Sequence, residues 1–517
     1  MALVLGEVAR RNAVVVPDKP AYVMRGEQGE REVVTYRELD ERANRLCSAL
    51  AARGVQRGDR VAVLMLNNVA WPVVFFGALK LGAAVVPVNA RFKVDEVAAQ
   101  LAACRPSALI YEPAYDEYVG QLDVPLLVRP CCVSEPARAG SDRAVDFDHL
   151  LASGSPEEPG LPVDENDAHA IFYTSGTTGT PKGAVLSHRA YWIQTAQPIM
   201  SPRGTGEDDV GLCMFPFFHM SGWANSLPFW RARATVVILR RPTPEAICGA
   251  FQEERVTQFY AIPEMLRAVC AFEELDEYDL SSLRELNSGT SAMSAEDIEL
   301  TCERLRVDGI RIHYGSSEAG PNTVLPAEES RKRPGSIGRA QTNCDVRLVD
   351  ADGAPVLPGD TGEIVVRSDW VMSGYFEAPD ATADALRDGW YQTGDLAIAD
   401  DEGYLYICGR LKEVIRSGGE SIFPSELERT ILELPGVREC SVVGVPDAQW
   451  GEVALAAVVC FVGADVTADD VVAHCGTHLA AYKRPRHVMF VDELPKAGAT
   501  EKVQKSLVRE RFEASLA

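Results

Sequence analysis

The stretch YTSGTTGTPKG, from Tyr173 to Gly183, decides how the rest of this sequence is read. The apolar run Ala170-Ile171-Phe172 before it reads as a strand, and a helix-like segment is expected from about Ala184. Gly176, Gly179 and Gly183 allow backbone torsions that other residues resist. Thr174, Ser175, Thr177, Thr178 and Thr180 supply hydroxyls, and Lys182 supplies a positive charge. A loop with so many N–H and O–H donors is suited to wrapping a polyphosphate. The ordinary P-loop pattern does not fit, because Pro181 stands where its second glycine belongs.

The bulk of the chain sets the frame around this loop. At 517 residues it exceeds what one core usually supports, so two or more domains are expected. Hydrophobic residues make up 46% and charged residues 24%, the balance of a soluble globular enzyme. A net charge of −24 argues against nucleic acid and anionic membrane as partners. An anionic nucleotide must then be held by a local positive site. No run of about 18 apolar residues occurs, so no integral membrane segment is expected. The first residues lack the basic start and apolar core of a signal peptide. The 13 cysteines are dispersed and odd in number, which points to reduced thiols and a cytoplasmic location. The 8 histidines are scattered, and no zinc-binding spacing is read from them.

Upstream of the loop, Thr35 and Glu38 form a capping box before a helical run that Gly54 ends. Strand candidates at Arg60 to Met65 and Ala83 to Val88 flank a helix around Trp71 to Leu81. Strand–helix–strand alternation continues to about residue 325, which implies parallel sheets covered by helices. From 335 to about 408 short strands and turns predict a small β-rich subdomain. The last hundred or so residues read as a separate α+β unit, with a boundary at Gly409-Arg410-Leu411-Lys412.

The loop resembles the phosphate-binding signature of the adenylate-forming superfamily of AMP-dependent synthetases and ligases, most of all the acyl-CoA synthetases. Five further motifs match that family in order. In HYGSSE, the resemblance gives Tyr314 to adenine stacking, Ser317 to the nucleotide in place of the usual Thr, and Glu318 to the Mg²⁺ that bridges ATP phosphates. In YQTGDL it gives Asp395 to the ribose. In GRLKEVIRSGGES it gives Arg410 to ribose or phosphate, Lys412 to a hinge, and Gly418 and Gly419 to the CoA arm; Arg416 and Ser421 depart from the commoner Ile and Asn. In PFFHMSG, His219 resembles a catalytic-site residue beside the acyl pocket. In LPKAGATEKVQK, Lys502 is the candidate for the lysine that meets the carboxylate and α-phosphate; Lys496 and Lys505 are poorer matches. That segment is one residue longer than usual, and Glu501 replaces a glycine.

The acyl pocket is assigned to His219, Trp223, Gly289, Thr290 and Ser291. Hydroxyls at 290 and 291, where relatives often carry glycine and alanine, favour an aromatic or short polar acid over a long alkyl chain. The resemblance implies an N-terminal adenylation domain over 1–409, a mobile C-terminal lid over 410–517, and ATP, Mg²⁺ and CoA as cofactor and co-substrates. The expected partners are a small-molecule acid and CoA, with a homodimer by analogy. Two other functions fit the same motifs. One is adenylation with a different acceptor, such as a carrier protein, an amine, or nitrite in diazotisation. The other is a non-catalytic nucleotide-binding homologue.

Overall fold

The computed structural model describes residues 3–27, 29–119, 126–129, 144–174, 181–200, 204–497 and 502–516. The chain divides into two compact units, Met1–Val346 with Val366–Tyr391, and Arg347–Val365 with Gln392–Ala517.

The first unit contains two sheets. One has eight strands among the described residues, in the order Gly374–Tyr375, Lys182–Ser187, Ala168–Thr174, Ala84–Pro87, Arg60–Leu64, Ala108–Tyr111, Leu126–Arg129, Ala144–Asp146. From Ala168–Thr174 to Ala144–Asp146 its neighbours are parallel, with Val61 beside both Val85 and Ala108. Parallel strands covered on both faces must be apolar along their length, and Ala84–Pro87 and Ala108–Tyr111 are buried at every position. The second sheet runs Ile310–Ser316, Glu285–Gly289, Gln258–Tyr260, Val210–Cys213, Thr235–Leu239, Pro20–Arg25, with all these neighbours parallel. Helix Ala70–Leu81 is apolar all round and buried at all its positions. Its one charge, Lys80, is met by Asp40 at 2.7 Å and Glu158 at 2.6 Å.

One expectation fails at the decisive stretch. The segment after the loop is a strand, Lys182–Ser187, and the helix begins only at His188. Lys182–Ser187 pairs antiparallel with Ala168–Thr174, so the two strands that flank the loop form a β-hairpin. The side chain of Ser187 caps the helix by accepting from the Ala190 N–H. The helix therefore starts at the far end of the returning strand and not at the end of the loop.

Strand Trp390–Ala399, which enters the second unit at Gln392, pairs antiparallel with Leu405–Arg410, with Asp395 opposite Arg410. A further sheet runs Glu420–Ile422, Ile415–Ser417, Gly451–Cys460, Val437–Asp447, with His487–Phe490 parallel to Gly451–Cys460. Alternation along Gly451–Cys460 separates two cores. Ala454, Ala456 and Val458 pack with Leu427, Ile431, Val471 and Cys475 of helices Pro424–Leu432 and Ala468–His478. Val453, Leu455, Ala457 and Val459 pack with Val508 and Phe512 of helix Lys505–Leu516. Thr467 and Asp470 close the capping box that starts Ala468–His478.

Candidate active site

The hairpin brings Thr174 and Lys182 together as cross-strand partners at the base of the loop. The Thr174 hydroxyl donates to Glu318 Oε1 at 3.0 Å, and the Tyr375 hydroxyl donates to the same oxygen at 3.2 Å. Lys182 Nζ lies 5.3 Å from the centre of the Tyr375 ring. Glu318 is only 8% exposed, so the two hydroxyls offset part of the cost of burying its charge. Burial first, then the Glu318 charge, raises the pKa of both Tyr375 and Tyr391, which keeps the phenols protonated. Sequence reading missed Tyr375. It lies in the two-residue strand Gly374–Tyr375, opposite Ala184, a pairing with no local signal. Ser175, Gly176, Thr177, Thr178, Gly179 and Thr180 lie outside the described residues.

Glu318 sits in the tight return between Ile310–Ser316 and Gly320–Leu325. A side chain at Gly315 would come within 2.0 Å of the Gly320 carbonyl, so the glycine after Tyr314 is required by backbone approach. Tyr314 and Ser317 are half-buried on the same return.

The expected pocket wall lies at the ends of neighbouring parallel strands. In open α/β sheets this is where ligands collect. Gly289 ends Glu285–Gly289, and a side chain there would meet the His313 carbonyl and the Tyr260 hydroxyl, both at 2.3 Å. Thr290 follows at φ +71°, and Thr290 and Ser291 are exposed. A β-branched residue in the left-handed region is strained, and such strain concentrates at ligand sites. His313 Nε2 lies 2.9 Å from Asn287 Oδ1; desolvation first, then Arg311, lowers its pKa to about 3. The neutral ring donates there, since an amide oxygen only accepts. Trp223 is placed elsewhere. It is 1% exposed, stacks on Phe75 at 3.9 Å and donates to the Phe217 carbonyl at 2.8 Å, as part of an aromatic core. His219 is half-buried at the N-cap of helix Met220–Ala224, with Nδ1 3.0 Å from Ser221 Oγ.

In the second unit Arg410 Nε lies 3.1 Å from Asp395 Oδ1. Thr393 Oγ1 accepts from the Asp395 N–H and donates to the Ile364 carbonyl, fixing the turn that carries the aspartate. Lys412 is exposed in the short 3₁₀ turn Leu411–Glu413. Gly418 and Gly419, at φ +59° and +90°, form the two-residue turn of the hairpin Ile415–Ser417 to Glu420–Ile422. A side chain at Gly418 would also reach within 2.6 Å of Trp450. Lys496 is paired with Glu439 at 2.7 Å; Lys505 is paired with Glu413 at 2.8 Å and Glu428 at 3.0 Å. Both lysines are engaged within the fold. The Lys502 backbone pairs with Ala497; its side chain and Glu501 lie outside the described residues.

A hairpin whose base pairs Thr174 with Lys182, with Thr174 bonded to the buried Glu318 carboxylate, suits a nucleotide polyphosphate. The chain belongs to the AMP-binding enzyme family, the adenylate-forming ligases: the family's model matches residues 9–376, and the model of the AMP-binding enzyme C-terminal domain matches 426–501. It is 38% identical to a feruloyl-CoA synthase of Amycolatopsis over 93% of this chain and 94% of that one. It is 34% identical to a long-chain-fatty-acid–CoA ligase of Mycobacterium tuberculosis over 99% of both. The solved ATP-bound structure of MatB from Rhodopseudomonas palustris superposes with a TM-score of 0.86 at 28% identity, over 100% of both chains. No helix among the described residues is long and apolar enough to cross a membrane.

Proposed function

We propose that this chain is an ATP-dependent acid–CoA ligase whose acid is aromatic or short to medium and polar. A carboxylate oxygen of the acid attacks the α-phosphorus of ATP and pyrophosphate leaves, giving acyl-AMP. The CoA thiolate then attacks the acyl carbonyl, forming the thioester and releasing AMP. No protein nucleophile is required, because catalysis is positioning and charge neutralisation.

The observation that carries this reading is the convergence of the Thr174 and Tyr375 hydroxyls on Glu318 at the base of the loop, with Lys182 over the Tyr375 ring. Glu318 and Thr174 offer hard oxygen donors, the set that Mg²⁺ takes, and they are the residues that would hold it beside the phosphates. When bound, Mg²⁺ neutralises phosphate charge and orients the leaving group. The residues from Thr174 to Thr180, with Lys182, hold the phosphates; Tyr314 and Ser317 hold the adenine side; Asp395 and Arg410 hold the ribose. Lys502 neutralises charge at the α-phosphate. It is preferred over Lys496 and Lys505 because those two are ion-paired within the fold. Lys412 is the hinge of the C-terminal domain, and Gly418 and Gly419 lie along the CoA arm. His219, Gly289, Thr290 and Ser291 border the acid. An aromatic acid is favoured by the Thr290–Ser291 hydroxyls and by the likeness to a feruloyl-CoA synthase. The use of ATP and CoA fits a cytoplasmic location.

The test is ATP–pyrophosphate exchange over a panel: a hydroxycinnamic acid, a short polar acid, a medium-chain and a long-chain fatty acid. CoA thioester formation is then measured with the best of them. The expected result is exchange with an aromatic or short to medium polar acid and rapid thioester formation. A preference for the long-chain acid would overturn the pocket assignment. Exchange without thioester formation would transfer the case to an amine, carrier-protein or nitrite acceptor. No exchange with any acid would favour a non-catalytic homologue.

A further inference from the structure

We propose that Glu433, His474 and His478 form a binding site for a divalent transition metal ion, Zn²⁺ foremost, on the second unit. It is built from none of the residues assigned above. No zinc-binding spacing was expected from the histidines, yet His474 and His478 stand four residues apart in helix Ala468–His478 and so share one face. Glu433 ends the neighbouring helix Pro424–Leu432, whose Leu427 and Ile431 pack in one core with Val471 and Cys475 of the histidine helix. That packing brings one ring nitrogen of each histidine and a Glu433 carboxylate oxygen within 4.8 Å of one another.

Two further observations point to an ion. His474 Nε2 is buried and has no hydrogen-bond partner, a state that costs free energy unless the nitrogen is coordinated or solvated. His478 Nδ1 lies 2.9 Å from the His474 carbonyl. A carbonyl only accepts, so Nδ1 donates there, and Nε2 is the nitrogen with a lone pair in the neutral ring. Metal-ligating histidines are commonly oriented by such a bond from the other ring nitrogen. Two imidazoles and one carboxylate suit zinc and its neighbours in the transition series, whereas Mg²⁺ and Ca²⁺ prefer all-oxygen shells. Zinc bonds of about 2.0–2.2 Å require ligand atoms no more than about 4.3 Å apart. Rotation of the exposed Glu433 side chain provides that contraction. Water completes the shell, and the bound ion ties the two helices together.

The full-length protein, stripped of metal by a chelator and kept reduced, would be titrated with ZnCl₂ by calorimetry and with CoCl₂ by visible absorption. The expected result is one ion per chain, with affinity at least about tenfold weaker in His478→Ala and weaker still in the His474→Ala/His478→Ala pair. Zn²⁺ should raise the unfolding midpoint of the wild type and leave that of His478→Ala unmoved. Because His478 is exposed, the single variant should fold, and unchanged ATP–pyrophosphate exchange checks that it does. If the wild type takes up no ion, or the variants bind as tightly as it does, the site does not exist.

Discussion

Replacing Glu318 by Gln separates its proposed catalytic charge from its structural place. The side chain is 8% exposed, and its Oε1 accepts two hydroxyls at 3.0 and 3.2 Å. Hydrogen bonds to a charged acceptor contribute about 1.5–3 kcal/mol, against about 0.5–1.5 kcal/mol for neutral pairs. The glutamine keeps the acceptor oxygen, so the two bonds weaken by about 2 kcal/mol together. The same change removes the cost of holding a carboxylate away from water, which acts in the opposite direction and is of similar size. Net stability should therefore change by less than about 2 kcal/mol, a shift of a few degrees at most in the unfolding midpoint. The loss of a fixed charge beside the phosphates should lower ATP–pyrophosphate exchange by about 100-fold or more. Glu318→Ala should lose activity and also stability, since it strands both hydroxyls at about 1–3 kcal/mol each. Exchange at saturating acid, measured beside thermal unfolding, reads both quantities. Exchange in Glu318→Gln within about threefold of wild type would refute the assignment.

Three other outcomes are expected. Lys502→Ala should lower exchange by about 100-fold with little change in the unfolding midpoint, whereas Lys505→Ala should cost about 1–3 kcal/mol of stability by leaving Glu413 and Glu428 without their shared cation; the reverse pattern would move the catalytic role to Lys505. Thr290→Gly should relieve about 1–2 kcal/mol of backbone strain at φ +71° and return about 0.5–1 kcal/mol as unfolded-state entropy. Denaturant unfolding should show a variant at least as stable as wild type, and a clear loss would mean that the side chain has a structural contact outweighing the strain. Desolvation lowers the pKa values of His169, His188 and His313 to about 3, 4 and 3, so each is neutral in the fold. Their stabilisation is complete above the unfolded value of about 6.5 and is lost as pH falls toward those folded values, at up to about 1.4 kcal/mol per pH unit for each ring. Unfolding free energy measured from pH 7 to 5 should therefore fall steeply, and His169→Phe should flatten the slope; an unchanged slope would remove His169 from this account.

Much of the fold was legible because the parallel strands are apolar runs of the right length, as at Arg60–Leu64 and Ala84–Pro87, and because the Thr35–Glu38 capping box marks a helix start. The segment after the loop was misread because Lys182–Ser187 is short and its apolar residues suit either a strand or the first turn of a helix. Its pairing with Ala168–Thr174 settles the matter, and pairing is a long-range property. Trp223 illustrates a different limit. A tryptophan near a pocket motif looks like a pocket wall, but only packing shows its indole stacked on Phe75.

The sequence alone determined the chemistry that the loop from Tyr173 to Gly183 can perform, since glycines, hydroxyls and a lysine carry their donors and torsional freedom with them. It also determined the alternation of strands and helices, because hydrophobic period is local. Tertiary structure decided what faces the loop. Tyr375 reaches Glu318 across 57 positions of sequence, and Thr174 reaches it across 144. Glu433 likewise meets His474 and His478 only because two helices pack on one core. Such meetings depend on chain crossings and register, which no window of sequence contains, and they turn a donor-rich loop into a site with a buried charge at its base.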